Sequence, residues 1–392
     1  MSRILFVVPP LTGHVNPTAA VGAELIARGH DVAWAGHPAT ITPLLPAAAR
    51  VFPAIDDAAD ERLRAGRERW LDLRGAAALK FFWEDFVIPL AGAMLPGTRE
   101  AIAAHRPDVI ISDQQALAGA IAARLTGIPW VTCASTSAEL LRPLAGMPRV
   151  EEWISDQMAA FQLVNGVVDP VDLRFSDRLT LVLTTPALMG DISGFSFPDS
   201  FWDHCAFTGP ALTRRPDRGD FPWEWLDPGR EHVLVSLGTL NGPAGERFFR
   251  VVTEALSGLG DRLQAVVVGP PVPGAPDHLL FTGHVPQLAL LPHMNAVVSH
   301  GGHNTVCESL ANGLPLVVTP VRDDQPLVAQ QVADAGAGIR LRFGRLRPAE
   351  LRDAVVTILS DPSYRTAAAR IRDSFTAAGG AATAADHVEK LL

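Results

Sequence analysis

The segment from His300 to Glu308 carries the strongest chemical signal in the chain, with the sequence His-Gly-Gly-His-Asn-Thr-x-x-Glu. It follows a short apolar run, Ala296–Ser299, and opens a segment with helical spacing, Asn304–Ala311. Glycines let a backbone approach a ligand closely, and the free N–H groups of a helix N-terminus bind anions. We therefore predict an anion site in which His300 donates to a phosphate oxygen and Asn304 caps the helix. The alternative is a glycine-rich turn that binds no ligand.

Three other segments also follow short apolar runs or begin a turn near them: Ser236–Thr239, Gly283–Gln287 and Asp323–Gln325. Small hydroxyl groups and a glycine in the first segment suit a diphosphate. The carboxylate of Asp324 beside the amide of Gln325 suits the hydroxyl groups of a sugar. Each segment alone is a weak signal, and a pair such as Asp324 and Gln325 often does no more than cap a helix.

Two residues in the first half predict a general base. His14 lies just beyond the apolar run Ile4–Val8, and Asp113 lies just beyond the run Val109–Ser112. If the strand order is 3-2-1-4-5, these strands are neighbours at the switch point and the two side chains can meet. A carboxylate on one imidazole nitrogen fixes the tautomer and makes the other nitrogen more basic. This arrangement suits proton removal from a hydroxyl group, whereas a lone loop histidine would more often be structural.

Two stretches rich in aromatic and apolar residues, at about 60–100 and 147–161, stand apart from the rest of the first half. At helical spacing such residues are commonly part of a core. The alternative is a mobile apolar wall, partly on a loop, that binds a bulky substrate. The candidate wall residues are Trp70, Phe81, Phe82, Trp83, Phe86, Met147 and Trp153.

Apolar strands alternate with helical segments throughout the chain, which predicts an α/β fold with two doubly wound, Rossmann-like domains facing a cleft. The expected divisions are a first domain over 1–210, a polar linker over 211–220 and a second domain over 221–375. A C-terminal helix within 376–392 is expected to pack back on the first domain. We expect a loop over Pro9–Asn16, with Pro17 in the first turn of the following helix.

Composition excludes several classes of function. The net charge of −9 over 392 residues argues against a protein that wraps nucleic acid. Neither Lys80 nor Lys390, the only lysines, lies in a phosphate-binding Gly-Lys-Ser/Thr loop, and the metal-binding D-x-D motif is absent. The cysteines Cys133, Cys205 and Cys307 fit neither a disulfide framework nor a zinc cluster. Because no apolar stretch approaches about 20 residues, we expect a cytoplasmic protein without stable membrane association.

Together these motifs resemble those of the GT-B-fold glycosyltransferases that modify natural products. That group includes actinobacterial enzymes for macrolides, enediynes and polyketides, and it is related to the UDP-glycosyltransferases. The segment Pro9-Pro10-x-x-Gly-His-Val-Asn-Pro17 is similar to the N-terminal loop of this family. The segment from Gly283 to Gln325 is similar to its donor signature almost end to end. The likeness covers nearly the whole chain, and the donor signature is highly specific.

The resemblance implies an inverting, metal-independent enzyme that needs no cofactor. It would move a sugar, which could be a deoxysugar, from a dTDP- or UDP-sugar to a hydroxyl group of a polyketide, macrolide, enediyne or similar aglycone. His14 would be the catalytic base and Asp113 its partner, with the acceptor in the first domain and the nucleotide sugar in the second. The implied donor-binding residues are Ser236, Gly238, Thr239, His284, Val285, Gln287, His300, Gly301, Gly302, Asn304, Thr305, Glu308, Asp324 and Gln325.

The sequence leaves alternatives for the nucleobase of the donor, for the function and for the oligomeric state. His284 stands where the family often has a tryptophan that stacks on the nucleobase, which leaves uridine and thymidine as alternatives. A non-catalytic auxiliary protein and a nucleotide-sugar epimerase of the same fold are the two alternative functions. The sequence does not decide whether the chain forms a homodimer.

Overall fold

The computed structural model describes residues 1–70, 73, 75–141, 143–190, 197–213, 221–238 and 243–392. The first half contains a parallel sheet whose strand order is β3-β2-β1-β4-β5-β6-β7. Its strands are β1 (Arg3–Val7), β2 (Asp31–Gly36), β3 (Arg50–Pro53), β4 (Val109–Asp113), β5 (Trp130–Ala134), β6 (Thr180–Val182) and β7 (Cys205–Phe207). The predicted order 3-2-1-4-5 is therefore present at the centre of this sheet.

Helices cover both faces of the first sheet, because its strands are apolar on both faces. Ile4 and Phe6 pack into one layer, whereas Leu5 and Val7 pack into the other. The helices are α1 (Thr12–Ala27), α2 (Pro38–Ile41), α3 (Asp57–Trp70), α4 (Gly75–Phe81), α5 (Ile88–His105), α6 (Leu117–Thr126), α7 (Pro148–Val164), α8 (Pro186–Met189) and α9 (Asp199–Trp202). A π-helical segment, Phe82–Val87, joins α4 to α5.

The second half repeats the plan with a parallel sheet of order β10-β9-β8-β11-β12-β13. Its strands are β8 (Glu231–Ser236), β9 (Leu263–Val268), β10 (Leu279–Thr282), β11 (Ala296–Ser299), β12 (Leu316–Val318) and β13 (Gly338–Arg340). Its helices are α10 (Pro243–Leu256), α11 (Gln287–Leu290), α12 (His303–Ala311), α13 (Gln325–Asp334), α14 (Pro348–Ser360) and α15 (Pro362–Ala378). The predicted fold class, two doubly wound α/β domains, is confirmed.

A final helix, α16 (Gly380–Glu389), lies against the first domain. Its residues Ala384, Ala385 and Val388 are buried in the same core layer as α1. Arg28 at the end of α1 donates to Asp386 at 2.6 Å and to Glu389 at 2.7 Å. The residues just before it, 376–378, still belong to α15, so the helix that packs on the first domain starts at Gly380.

The expected loop over Pro9–Asn16 is wrong beyond residue 11, because α1 already begins at Thr12. The Leu11 carbonyl accepts the N–H groups of His14 and Val15, which starts the helical pattern five residues before Pro17. Pro17 therefore lies inside the helix rather than in its first turn. Residues 214–220 of the predicted linker lie outside the described residues. Within the described ranges, no helix is long and apolar enough to cross a membrane.

Candidate active site

The predicted pair of His14 and Asp113 is present at the carboxyl edge of the first sheet. Asp113 is the last residue of β4, which pairs in parallel with β1, and His14 lies in the first turn of α1 directly after β1. The His14 Nδ1 atom is 3.0 Å from Asp113 Oδ1 and 3.1 Å from Oδ2. Asp113 is 1% exposed, and its Oδ1 also accepts the N–H of Gln115 at 2.9 Å. The buried carboxylate therefore lies against Nδ1 of the His14 ring.

Three consecutive hydroxyl side chains after β5, which no motif in the sequence indicated, also belong to the site. Ser135 Oγ lies 2.8 Å from His14 Nδ1. Thr136 Oγ1 donates to Asp324 Oδ2 at 2.6 Å, and Ser137 Oγ donates to Gln331 Oε1 at 3.2 Å. Their position at the carboxyl end of β5, the neighbour of β4, is the signal that could have identified them.

The His300 side chain lies between two glycines of the second domain. A Cβ atom on Gly238 would lie 2.8 Å from His300 Cε1, and one on Gly302 would lie 2.7 Å from Nε2. Gly238 also has a φ of +62°, a conformation that favours glycine. Burial lowers the pKa of His300, although Asp324 and the Ser236 carbonyl act in the opposite direction. Burial therefore favours the neutral imidazole, which carries one N–H donor.

Helix α12 begins next to His300, but Asn304 does not cap it. Gly302 occupies the N-cap position, where no side chain accepts a hydrogen bond. Asn304 is the second helical residue, and its Nδ2 atom donates to the Gly13 carbonyl oxygen of the first domain at 2.6 Å. Gly301 adopts a φ of +90°, and its N–H donates to Ser299 Oγ at 3.1 Å. The first N–H groups of the helix remain without side-chain caps, as a diphosphate site requires.

Of the residues expected near the nucleoside, Gln287 on α11 and Glu308 on α12 lie together, and His284 and Val285 lie just before α11. Glu308 is 1% exposed, and its Oε2 accepts Gln287 Nε2 at 2.6 Å. Val285 is buried, whereas His284 is exposed. The backbone at His284 is held by Thr282, whose Oγ1 donates to the His284 carbonyl at 2.9 Å. The Glu308 carboxylate and the Gln287 amide are therefore held together by a hydrogen bond, and the His284 imidazole is accessible to a nucleobase.

The loop after β12 carries the two residues expected to bind the sugar. Asp324 is the N-cap residue of α13, but its side chain makes no capping bond and instead accepts from Thr136. Gln325 Oε1 accepts the N–H groups of Val321 at 2.9 Å and Arg322 at 3.1 Å, so this oxygen shapes the loop. The helix-capping alternative does not describe either side chain.

The aromatic stretch is mostly helical core rather than an exposed loop. Trp70, Phe81, Trp83 and Phe86 are each at most 9% exposed, so the expectation of a poorly ordered wall is wrong for them. The physical reason is that the rings pack on one another: the Trp70 centroid lies 5.6–6.2 Å from three phenylalanine rings. Of the candidate wall residues, those with accessible surface are Phe82, Trp153 and the 47%-exposed Met147.

Thr305 and Ser236 are the remaining predicted donor-binding residues within the described ranges. Thr305 lies in the first turn of α12, half-buried beside Asn304. Ser236 ends β8 and accepts the N–H of Gly238 at 3.2 Å, whereas Thr239 lies outside the described residues. Across the described part of the chain, no group of three or more His, Cys, Asp or Glu side chains could hold a metal ion.

Comparisons with known proteins agree with this architecture. The profile of the family "Erythromycin biosynthesis protein CIII-like, C-terminal domain" matches residues 266–391. The chain is 28% identical to 4'-demethylrebeccamycin synthase of Lentzea aerocolonigenes, over 100% of both chains. It is also 28% identical to demethyllactenocin mycarosyltransferase of Streptomyces fradiae, over 100% of this chain and 87% of that protein.

Solved structures give the same result for the fold. The crystal structure of the kitacinnamycin glycosyltransferase superposes with a TM-score of 0.78 and 28% identity, over 100% of this chain and 99% of that one. The glycosyltransferase VinC, solved in complex with dTDP, superposes with a TM-score of 0.75 and 21% identity, over 99% of each chain. The predicted GT-B fold is therefore confirmed.

Proposed function

We propose that this chain is a nucleotide-sugar-dependent glycosyltransferase that transfers the sugar with inversion to a hydroxyl group of a bulky aglycone. Its likeness to natural-product glycosyltransferases in sequence and fold supports this proposal. The observation that carries the proposal is the hydrogen-bonded pair of His14 and Asp113 beside the N-terminus of α12. The base directly follows Gly13, whose carbonyl accepts from Asn304 in the first turn of that helix. A base and an anion site lie side by side, as a displacement at an anomeric carbon requires.

In the proposed reaction, the acceptor hydroxyl gives its proton to His14 Nε2 as its oxygen attacks the anomeric carbon. The bond from that carbon to the diphosphate breaks on the opposite face, and the electron pair leaves with the diphosphate. The buried Asp113 carboxylate stabilises the imidazolium that forms. The N–H groups at the start of α12 and the His300 imidazole stabilise the leaving diphosphate.

The donor is proposed to be a dTDP- or UDP-sugar. The buried pair of Glu308 and Gln287 would bind the ribose, and exposed His284 would stack on the base. Asp324 and Gln325 would bind the sugar hydroxyls. The two relatives described above are named a synthase and a mycarosyltransferase of natural products, which favours an aglycone acceptor over the auxiliary and epimerase alternatives.

The stereochemical outcome tests the proposed reaction directly. Thermal-shift screening with UDP, dTDP and a panel of hydroxylated aglycones first identifies a donor and an acceptor. The anomeric proton coupling of the product is then measured by NMR. An α-linked D-hexosyl donor is expected to give a β-linked product, and an α-linked product would contradict the proposed inversion.

We also expect transfer to proceed without a divalent metal. The sequence contains no D-x-D motif, and helix N–H groups with a neutral imidazole take the place of a cation in the proposed mechanism. Activity in excess EDTA should equal that of the untreated enzyme. Loss of activity on chelation, restored by magnesium or manganese, would show that this account of diphosphate stabilisation is wrong.

The aromatic residues provide a test of where the acceptor binds. Trp83 is 3% exposed, so Trp83→Ala should lower the free energy of unfolding by about 3–5 kcal/mol. Phe82 is half-buried, so Phe82→Ala should destabilise less and should weaken acceptor binding. Denaturant unfolding and separate titrations with nucleoside diphosphate and acceptor measure these effects. Unchanged acceptor affinity in Phe82→Ala would remove this ring from the acceptor site.

A further inference from the structure

A proline inside α1 leaves one backbone carbonyl without its helical donor. Pro17 is the sixth residue of α1, where the N–H of an ordinary residue would donate to the Gly13 carbonyl four positions earlier. Proline has no N–H, and its ring displaces the carbonyl of residue i−4 away from the helical direction. The Gly13 carbonyl is therefore available to a donor from elsewhere.

That donor comes from the other domain. Asn304 Nδ2, on the first turn of α12, lies 2.6 Å from the Gly13 carbonyl oxygen. A Cβ atom on Gly13 would lie only 3.7 Å from the same nitrogen, so the two segments are in close contact. The missing helical bond at Pro17 and the bond across the cleft therefore concern the same oxygen atom.

The bond between Asn304 and Gly13 connects the segment that carries the proposed base to the helix that would bind the diphosphate. His14 is the next residue after Gly13, and its Nδ1 is held at 3.0 Å by Asp113 within the first domain. The N-terminus of α12 belongs to the second domain and faces the proposed diphosphate site. Other hydrogen bonds also join the domains, and some of them, such as Thr136 to Asp324, lie outside α1 and α12. The bond to Gly13 is therefore one of several hydrogen bonds between the domains, and it lies next to the proposed base.

We propose that Pro17 is a positioning residue: it withholds an N–H from the Gly13 carbonyl, so that this carbonyl binds Asn304 and sets the distance between His14 and the donor diphosphate. The proposal rests on the function proposed above for His14 and α12. The proposal explains why α1 has a proline at position 17, inside the helix, where proline is otherwise unfavourable.

The test is Pro17→Ala, which restores an N–H that competes for the Gly13 carbonyl. Because alanine suits a helix interior better than proline, Tm should be at or above that of the wild-type protein. The kcat should fall about fivefold, which corresponds to the loss of about 1 kcal/mol of hydrogen bonding in the transition state. The Kd for UDP or dTDP should be unchanged, because the nucleotide is bound by the second domain. A purely structural proline would not give higher stability together with slower turnover.

The chain offers a matched control in Pro96, which also lies inside a helix, α5, but is exposed. Pro96→Ala restores a helical N–H in the same way, and it should leave kcat unchanged. If Pro17→Ala does not fold, Pro17→Val carries the same N–H and fills more of the space left by the ring.

A double-variant cycle shows whether Pro17 acts through Asn304. In an Asn304→Ala background, Pro17→Ala should cause no additional loss of kcat. A kcat equal to wild type in Pro17→Ala, or a full additional loss in the Asn304→Ala background, would overturn the proposal. Full activity of His14→Ala would instead contradict the proposed function itself, so the two failures are distinguishable.

Discussion

Replacing His14 with alanine is expected to lower kcat for sugar transfer by about 10²–10⁴-fold, the usual effect of removing a general base. At this edge of the first sheet the His14 imidazole pairs with the buried carboxylate of Asp113. Without it the acceptor hydroxyl must lose its proton to water while it attacks the anomeric carbon. Steady-state rates with the donor and acceptor identified by thermal shift measure the loss.

Nucleotide binding should separate this effect from a general loss of structure. His14→Ala should bind UDP or dTDP with wild-type affinity, because the proposed nucleotide site belongs to the second domain. His204 is exposed and directly precedes β7, at the opposite edge of the sheet, so His204→Ala is the matched control and should retain full activity. Asp113→Asn should be slower than wild type but faster than His14→Ala, since the imidazole survives with poorer orientation. Full turnover by His14→Ala would refute its role as the base.

The sequence predicts the sheets well because buried parallel strands are short, continuous apolar runs between turn residues. The run Ala296–Ser299 coincides with β11 to the residue, and the run Val109–Ser112 lies within β4. The pairing of His14 with Asp113 follows from the same information. Parallel neighbours such as β1 and β4 end at the same edge of the sheet. Residues at the ends of these strands therefore lie close together, and the sequence of the helices between the strands does not affect this.

The contacts between the domains could not be predicted in this way. Asn304 is a good N-cap residue by local rules, yet its side chain reaches Gly13 instead. Asp324 likewise accepts from Thr136 rather than from its own helix. Both hydrogen bonds depend on how the two domains pack against each other, and a local pattern of residues does not predict that packing.

The aromatic stretch shows a second limit of prediction from sequence, which concerns burial. The same spacing around Trp70 and Phe86 suits either a core or an exposed wall, since periodicity gives the direction of a side chain but not what lies opposite. The structure places other rings opposite, and the stacked cluster is buried. Exposure at Phe82, Met147 and Trp153 is therefore a property of the packed domain, and it narrows the proposed acceptor surface to fewer residues than the sequence suggests.

Replacing Gly302 with alanine is expected to weaken UDP or dTDP binding by about 10–100-fold. The new Cβ atom would lie 2.7 Å from His300 Nε2, so the imidazole must move away from its position beside Gly238. The lost interaction is a hydrogen bond to a charged group, worth about 1.5–3 kcal/mol. Gly302 has φ −59° and ψ 132°, values that alanine adopts readily, so the substitution should not strain the backbone, and any change in Tm should reflect the displaced ring. Calorimetric titration and Tm measure the two quantities.

Two comparisons make this prediction specific to the position of His300. Gly258 lies in the same domain with nothing within 4 Å of its added Cβ, so Gly258→Ala should bind nucleotide as the wild type does. In a His300→Ala background the Gly302→Ala change has no ring to displace, and its effect on affinity should disappear. If Gly302→Ala alone binds nucleotide with wild-type affinity, the two-glycine enclosure of His300 has no part in diphosphate binding. If the loss persists in full without the imidazole, the methyl group acts on the N-terminus of α12 itself, and the diphosphate depends on those N–H groups rather than on His300.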